Sequence, residues 1–524
     1  MIDRSFPLEI AYPKARIACD YTSGHAPARR LFASAPEDVE RLALERTRQG
    51  QAPEALANAI VCYNRSLGAA AEALDAAASL RHRDAVCVIT GQQVGFLGGP
   101  AYVAYKILTA LRHAHALRRT LGIPVVPVFW LATQDHDLGE INRCHYVAAD
   151  GEVATVRFEW DGAGRPISTL PLTPEALECR DRYLEAATAP TRRPEIARIT
   201  APDPKDDYSL WHARIWTRIF SRHGLVIVDP AKLGAFAAPI YARAVAAERE
   251  IAAALHRGAD AVREAGYEVA LPMDRAGRLF TLDADGRRVR LPPTDSGTAP
   301  QVRYDTLSPD AALRPVLADT LFPVVLDVLG PGELAYHALL RPVYELFDVP
   351  QPAARLRWSG TIVSPEEARL AEQIGEDPET LVASGIDVPQ VASRLVSDEL
   401  RQMFAAARSP IQNAFTQLRP GVCEIDATLD RERDRAARAA LRELERLERR
   451  AAHAQLEHRG FAPARLQRLG VAIRPRGRLQ ERVFPFLHFL HRHGPSLVEE
   501  LLSLDTDAVM QHHWICRGRW DEKR

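Results

Sequence analysis

The chain has 524 residues, of which 47% are apolar and 26% charged. That length exceeds the roughly 250–300 residues at which one hydrophobic core stops growing, so two or three domains are expected. A formal net charge of −1 argues against nucleic acid or an anionic membrane surface as the main partner. No run reaches the ~18 apolar residues of a membrane span. The opening Met1-Ile2-Asp3-Arg4-Ser5 lacks the layout of a signal peptide. Cys19, Cys62, Cys87, Cys144, Cys179, Cys423 and Cys516 are scattered without metal-ligand spacing, which points to reduced, mostly buried thiols in a cytoplasmic protein and to no metal site.

In chain order, residues 35–83 show helical spacing (Val39, Leu42, Ala43; Leu56, Ala59, Ile60). Ala85 to Ile89 is a continuous apolar run of the kind found in buried parallel strands. Pro100 suits a first helical position, and Ala104, Ile107, Leu108, Leu111 and Ala114 give the stripe of a helix packed on a sheet. Val125 to Leu131 is the next strand, with Pro127 implying an edge or a bulge. From Asn142 the pattern changes to a hairpin around Asp150-Gly151. The core then resumes with a helix holding Leu210, Trp211, Ile215 and Ile219, a stop at Gly224, and a strand from Leu225 to Val228. One long helix is predicted over roughly 235–257, and a second hairpin turns at Asp285-Gly286. Ser308-Pro309-Asp310 reads as an N-cap with proline at N1, ahead of a helix with Leu313, Leu317 and Leu321. The strand Val324 to Leu329 follows, and Gly330-Pro331-Gly332-Glu333 opens a helix to about Phe347.

After about residue 362 the chain is almost entirely helical. Leu441, Leu444 and Leu447 are spaced on a highly charged stretch, which predicts a helical hairpin or coiled coil with the segment around Leu395 to Leu418. Phe484, Phe486, Leu487, Phe489 and Leu490 should pack back on the body, and His512-His513-Trp514 reads as packing. The fold class is therefore α/β: a Rossmann-like parallel sheet core with two hairpin-rich insertions and a C-terminal α-helical coiled-coil arm. The expected domains are a core over 1–360 with insertions at about 142–205 and 260–305, an arm over 361–460, and a segment over 461–524 packing on the core.

Two segments carry the candidate chemistry. Thr90-Gly91-Gln92-Gln93-Val94-Gly95-Phe96-Leu97-Gly98-Gly99-Pro100 lies between a strand and a helix, where a glycine-rich turn lets backbone N–H groups approach an anion. Its pattern is neither a Walker loop nor Gly-x-Gly-x-x-Gly. A tight connection alone would also explain the glycines, but Gln92 and Gln93 set two amides at the strand end that need partners. Helical side chains lean toward the N-terminus, so Tyr102 and Lys106 should point at this loop. Lys106 is one of only five lysines in a chain rich in arginine, and it could meet a phosphate or a carboxylate.

The second segment, Gln134-Asp135-His136-Asp137-Leu138-Gly139-Glu140, follows the next strand and should share its edge. Asp135, His136 and Asp137 could be metal ligands, a solvated turn or an acid/base set that recognises an amine. No second histidine pair supports zinc, and a carboxylate beside His136 would raise its basicity and orient its ring, which favours the third reading. Glu333 and Tyr336 sit just inside the turn at Gly332, where capping and ligand binding are evenly balanced. Asp229, at a strand end, is equally open.

The stretch Thr90-Gly-Gln-Gln-x-Gly-x-x-x-Gly-Pro-x-Tyr-x-x-x-Lys106 resembles the signature of the BshC family of bacillithiol-biosynthesis cysteine ligases. So do Pro127-Val128-Phe129-Trp130 with Asp135-His136-Asp137-x-x-Glu140-Ile141-Asn142, Leu313-Arg314-Pro315-Val316, Gly330-Pro331-Gly332-Glu333-x-Ala335-Tyr336, and Leu479-Gln480-Glu481-Arg482-Val483-Phe484. The resemblance implies a homodimer through the helical arm and an enzyme that joins cysteine to glucosaminyl-malate, with ATP activating the carboxylate. On this reading Asp135, His136, Asp137 and Lys106 are catalytic. Thr90, Gly91, Gln92, Gln93, Gly98, Gly99, Tyr102, Glu140, Asn142, Gly332, Glu333 and Tyr336 bind substrate. The chain lacks the His-Ile-Gly-His and Lys-Met-Ser-Lys-Ser motifs of class I aminoacyl-tRNA synthetases, so no ATP pocket can be assigned. The alternatives are a sugar-nucleotide glycosyltransferase on a similar sheet, and a non-catalytic dimeric scaffold.

Overall fold

A computed structural model describes residues 2–48, 52–160, 162, 164–187, 190–273, 277–291, 302–504 and 511–517. The chain divides into two compact units. One comprises Met1–Ala149, Val153–Ile362 and Leu479–Arg524, the other Asp150–Glu152 and Val363–Arg478.

In the first unit the apolar runs become a parallel sheet of β1 (Val86–Gln92), β2 (Val125–Leu131), β3 (Val226–Val228), β4 (Val324–Leu329) and β5 (Ala353–Leu356). Their spatial order is β5-β4-β1-β2-β3, with every neighbouring pair parallel. The chain thus runs outward from β1 through β2 to β3, then crosses to the other side of β1 for β4 and β5. The direction reverses between β1 and β4, and an open α/β sheet binds its ligands outside the carboxyl ends at such a point.

Apolar side chains alternate between two faces of the sheet. Cys87, Ile89, Val126, Val128 and Trp130 pack into one core, and Val86, Val88, Val125, Val325 and Val328 into the other. Burial on both faces is why these strands read as unbroken apolar runs. Helix α1 (Tyr102–Leu121) covers the second face through Ala110, Ala114 and Leu117 and stops at Gly122, whose left-handed φ of 67° suits glycine. Each fully buried Val or Leu contributes roughly 1.5–3 kcal/mol relative to exposure.

Several local expectations change. β1 runs past Ile89, because ladder hydrogen bonds do not depend on side-chain polarity: Thr90, Gly91 and Gln92 pair with Phe129, Trp130 and Leu131. Pro127 is on an inner strand, not an edge; β3 begins opposite Val128, so the proline precedes that ladder and removes no rung from it. α1 starts at Tyr102, not at Pro100, which bridges to Pro485 while the Ala101 N–H donates to the Phe484 carbonyl. Ser308–Pro309 is a short strand on the second hairpin, and Asp310 instead caps the helix Leu313–Leu321 through the N–H groups of Ala312 and Leu313. The helix expected over 331–347 is two, α2 (Pro331–His337) and Arg341–Phe347, because Pro342 cannot continue the first. The helix over 235–257 likewise breaks at Ala247, between Gly234–Ala246 and Glu248–Glu264.

Both hairpins form. Arg143–Val147 pairs with Val153–Arg157, and Leu279–Leu282 pairs with Arg288–Arg290 and with Ser308–Pro309. The first insertion also carries the helices Pro174–Ala187 and Arg193–Ile199. Phe484, Phe486, Leu487, Phe489 and Leu490 are all buried, and Gln511–Cys516 pairs antiparallel with Ile2–Pro7, so His512, His513 and Trp514 are core. All seven cysteines are free.

The second unit is built on a helical hairpin, α3 (Asp398–Ile425) and α4 (Leu429–His458), braced by Arg408–Glu448 at 3.0 Å and Arg419–Asp430 at 3.3 Å. Met403, Leu418, Ile425 and Leu447 lie exposed along it.

Candidate active site at the switch point of the sheet

The carboxyl end of β1 delivers Gly91, Gln92 and Gln93 to the switch point, and the end of β4 delivers Gly330, Gly332 and Glu333. Gly91 lets β1 approach β2 closely: a Cβ there would stand 3.1 Å from the Trp130 carbonyl oxygen, tighter than ordinary van der Waals contact. From α1, Lys106 reaches back as expected of a helical side chain. Its Nζ donates to the Gly91 carbonyl at 2.7 Å and to Gln92 Oε1 at 2.8 Å, and it forms an ion pair with Glu333. Burial pulls the Lys106 ammonium down to about 8, with Glu333 opposing the fall. Burial pushes Glu333 up, but Lys106 and Arg314 outweigh it and hold the carboxylate below its ordinary range. Glu333 also accepts the Gly330 N–H at 2.7 Å, so it is a capping residue and an ion-pair partner at once. The Lys106 ammonium is therefore committed to three protein acceptors, and its work is to tie the β1 loop to the β4 loop.

Tyr102 and Tyr336 flank this pair. The Tyr102 hydroxyl accepts from Gln92 Nε2 at 3.3 Å, and the Tyr336 hydroxyl accepts from Arg314 at 2.7 Å. A Cβ on Gly332 would meet nothing within 4 Å, so that turn faces open space.

On the β2 side, Asp135 accepts from Gln93 Nε2 at 2.6 Å and from the His136 N–H at 2.8 Å. Burial pushes its carboxyl up, yet those two hydrogen bonds and the Arg288 guanidinium prevail and keep it ionised below the usual carboxylate value. Asp135 Oδ1 is 3.6 Å from His136 Nδ1. Arg288 is nearer, with one terminal nitrogen 3.2 Å from that same Nδ1.

Asp135 and Arg288 open onto a cavity of about 240 Å³ that also takes in Gln134, Arg278, Arg290, Asp310 and Arg314. Four guanidinium groups face two carboxylates there. The second hairpin aims two of them: Arg288 and Arg290 are two apart on one strand and so share a face, and both lie over the Phe280 ring, at 3.8 Å and 4.7 Å. Arg278 pairs with Asp310 at 3.1 Å, and Arg288 is steadied by Ser308 Oγ at 3.0 Å and the Pro309 carbonyl at 2.7 Å. Arg314 reaches Glu333 at 3.8 Å and links this pocket to the Lys106 pair.

Other sequence-selected residues have structural duties outside the cleft. Thr90 Oγ1 donates to the Val328 carbonyl, fastening β1 to β4. Gly98 and Gly99 are buried with φ of 90° and 73°, and their N–H groups bond the Gly95 and Phe96 carbonyls. Those N–H groups are consumed within the turn and cannot cradle a phosphate. Asp137 is exposed and caps the short helix Leu138–Ile141 through the Gly139 N–H. Asn142 is buried and donates to the Phe158 carbonyl at the base of the first hairpin. The Glu140 side chain lies outside the described residues. Of the pocket arginines only Arg314 lies in a motif quoted from the sequence, and none is given a role there; the available signal for the others is Arg288-Val289-Arg290, alternating on a hairpin strand.

A family model described as the bacillithiol biosynthesis BshC N-terminal Rossmann-like domain matches residues 6–303 and 299–358, and one for the BshC C-terminal coiled-coil domain matches 360–517. The chain belongs to the BshC family. It is 30% identical to a protein of Geobacillus kaustophilus over 96% of this chain and 98% of that one, and 30% identical to one of Symbiobacterium thermophilum over 94% and 95%. A protein of Koribacter versatilis is 28% identical over 99% and 100%. Each carries the name "Putative cysteine ligase BshC". Membership in BshC bears out the family and fold resemblance read from the motifs, and nothing in it favours a glycosyltransferase.

Proposed function

We propose that this BshC-family chain is a ligase that joins the carboxyl group of cysteine to the amine of glucosaminyl-malate, using ATP. The observation that carries this reading is the arginine pocket beside Asp135 and His136. Its four guanidinium groups, gathered around one cavity, suit the two carboxylates of a malate group, and planar guanidinium forks match carboxylates in a bidentate fashion. ATP supplies the activation that makes the cysteine carboxyl an acylating group.

As the new C–N bond forms, the activating group leaves with its bonding electrons and the amine gives up a proton. Asp135, kept ionised, binds and orients the amine. His136 accepts the proton at Nδ1 once Arg288 turns from it toward a malate carboxylate, so dianion binding and base release are one event. The Lys106–Glu333 pair holds the two loops in register and steadies Arg314 at the pocket wall. The setting is the cytoplasm, and the assembly is a homodimer through the helical arm.

Incubation of the purified protein with ATP, cysteine and glucosaminyl-malate, followed by mass spectrometry, tests the reading. A product heavier by one cysteinyl residue, dependent on ATP and not replaced by a UDP-sugar reaction, supports it. Transfer from a UDP-sugar in place of amide formation would overturn it.

A further inference from the structure

The motif from Leu479 to Phe484 has a member that neither the fold nor the arginine pocket uses. Gln480 is engaged with the backbone of Ile362, accepting from its N–H at 2.9 Å and donating to its carbonyl at 2.8 Å. Glu481 is buried and accepts from Tyr12, from Arg357 at 2.6 Å, from Ser359 at 3.2 Å and from the Gly360 N–H at 3.1 Å. Both residues are spent on structure. Arg482, between them and Val483, is only partly buried, and among the described residues its guanidinium has no hydrogen bond or ion pair. It lies over the rings of Tyr12 and Tyr102, at 5.4 Å and 5.9 Å from their centroids. Arg357 lies over the same two rings, at 5.9 Å and 5.3 Å, but its own donors go to Glu481, Tyr12 and the Trp358 carbonyl.

Stacking holds a guanidinium plane without using its N–H groups. Arg482 is therefore held in position with its donors unspent, beside Tyr102, whose hydroxyl is bonded to Gln92 at the end of β1. It stands on the side of the switch point toward β4 and β5, where the Arg357 N–H meets the Leu329 carbonyl. The arginine pocket lies on the other side, at the ends of β2 and β3. We propose that Arg482, with Tyr102 and Gln92, forms a second oxyanion subsite for the other reacting partner. This rests on the ligase reading: the reaction brings together three anionic groups, of which malate takes the arginine pocket. The polyphosphate of the nucleotide and the carboxylate of cysteine share the chemistry that Arg482 recognises.

Isothermal titration calorimetry on the full-length protein separates the two, with inorganic tripolyphosphate as one titrant and L-cysteine as the other. Arg482→Gln is expected to weaken one or both by about 10-fold or more, the loss of a charge-assisted contact, and the titrant affected names the group that sits there. Arg482→Lys keeps the charge but not the planar fork, and should recover only part of the affinity. Glucosaminyl-malate should bind the variants as it binds wild type, and their melting temperature should stay near that of wild type, since Arg482 has no hydrogen-bond or ion-pair partner among the described residues to lose. Unchanged affinity of Arg482→Gln for both titrants, or binding of neither by wild type, would overturn the assignment. A failure of the ligase reading shows differently, as absent glucosaminyl-malate recognition in the wild-type protein.

Discussion

One terminal nitrogen of Arg288 stands 3.2 Å from His136 Nδ1. A guanidinium can only donate, so Nδ1 is the acceptor and the ring proton of the neutral imidazole belongs on Nε2. In the free protein the base is thus covered by the group that would bind the substrate's carboxylate. Nitrogen-15 spectra should show the Nε2–H tautomer of His136 without ligand and a changed ring environment with malate. His136→Ala should lower turnover about 100-fold or more, as for a lost general base, with little change in KM. Turnover equal to wild type would exclude that role.

The Lys106–Glu333 pair ties β1 to β4, and breaking it strands a charge. Lys106→Met is expected to destabilise the fold by about 3 kcal/mol, the scale for removing one partner of a buried pair. Lys106→Arg should also destabilise it, because the larger guanidinium must fit the acceptors at Gly91 and Gln92. Adding Glu333→Leu to Lys106→Met should recover part of the loss, and chemical denaturation measures all of these. Strictly additive losses in the double variant would show that the two side chains do not act as a pair.

Glu481 gives a pH prediction. Burial pushes its carboxyl up, but Arg357 and the hydroxyl of Tyr12 prevail and hold it at about 2, against an ordinary 4.5. The folded state therefore binds this proton more weakly than the unfolded chain does. The stabilisation is complete above pH 4.5 and is lost as pH falls toward 2. It amounts to about 3 kcal/mol at neutral pH. Glu481→Gln should unfold more readily than wild type at neutral pH, and the gap should narrow on acidification; a gap independent of pH would contradict the assignment.

Ile425 and Leu447, 81% and 58% exposed on the helical hairpin, are where a second copy would bury apolar surface. Ile425→Asp with Leu447→Asp should convert a dimer to a monomer by light scattering without unfolding the first unit. A dimer unaffected by both changes would move the interface elsewhere.

The sheet was legible because both of its faces are buried, which left unbroken apolar runs at Val86, Val125 and Val324. The hairpins were legible from Asp150-Gly151 and Asp285-Gly286, and the arm from its leucine spacing. Gln93, Asp135, Lys106 and Glu333 are all candidate site residues in the sequence, and the structure brings Gln93 to Asp135 and Lys106 to Glu333. What sequence could not show is where hydrogen bonds end. Thr90 and Asn142 look like binding residues until their side chains are found on the carbonyls of Val328 and Phe158. Nor could it show the arginine pocket, which gathers Arg278, Arg288, Arg290 and Arg314 from a hairpin and a helix that only the fold brings to β2. The break before Pro342 was visible in principle, since an interior proline ends a helix.

In the proposed ligase the arginine pocket is the reader of the malate group. The decisive measurement compares amide formation from cysteine and ATP with two acceptors, glucosaminyl-malate and methyl glucosaminide, in wild type and in Arg288→Ala. Wild type should prefer the malate-bearing acceptor strongly in kcat/KM, and Arg288→Ala should lose that preference by about 10- to 100-fold, the worth of one charge-assisted bidentate contact. An Arg288→Ala enzyme that still discriminates as well as wild type would contradict the central claim.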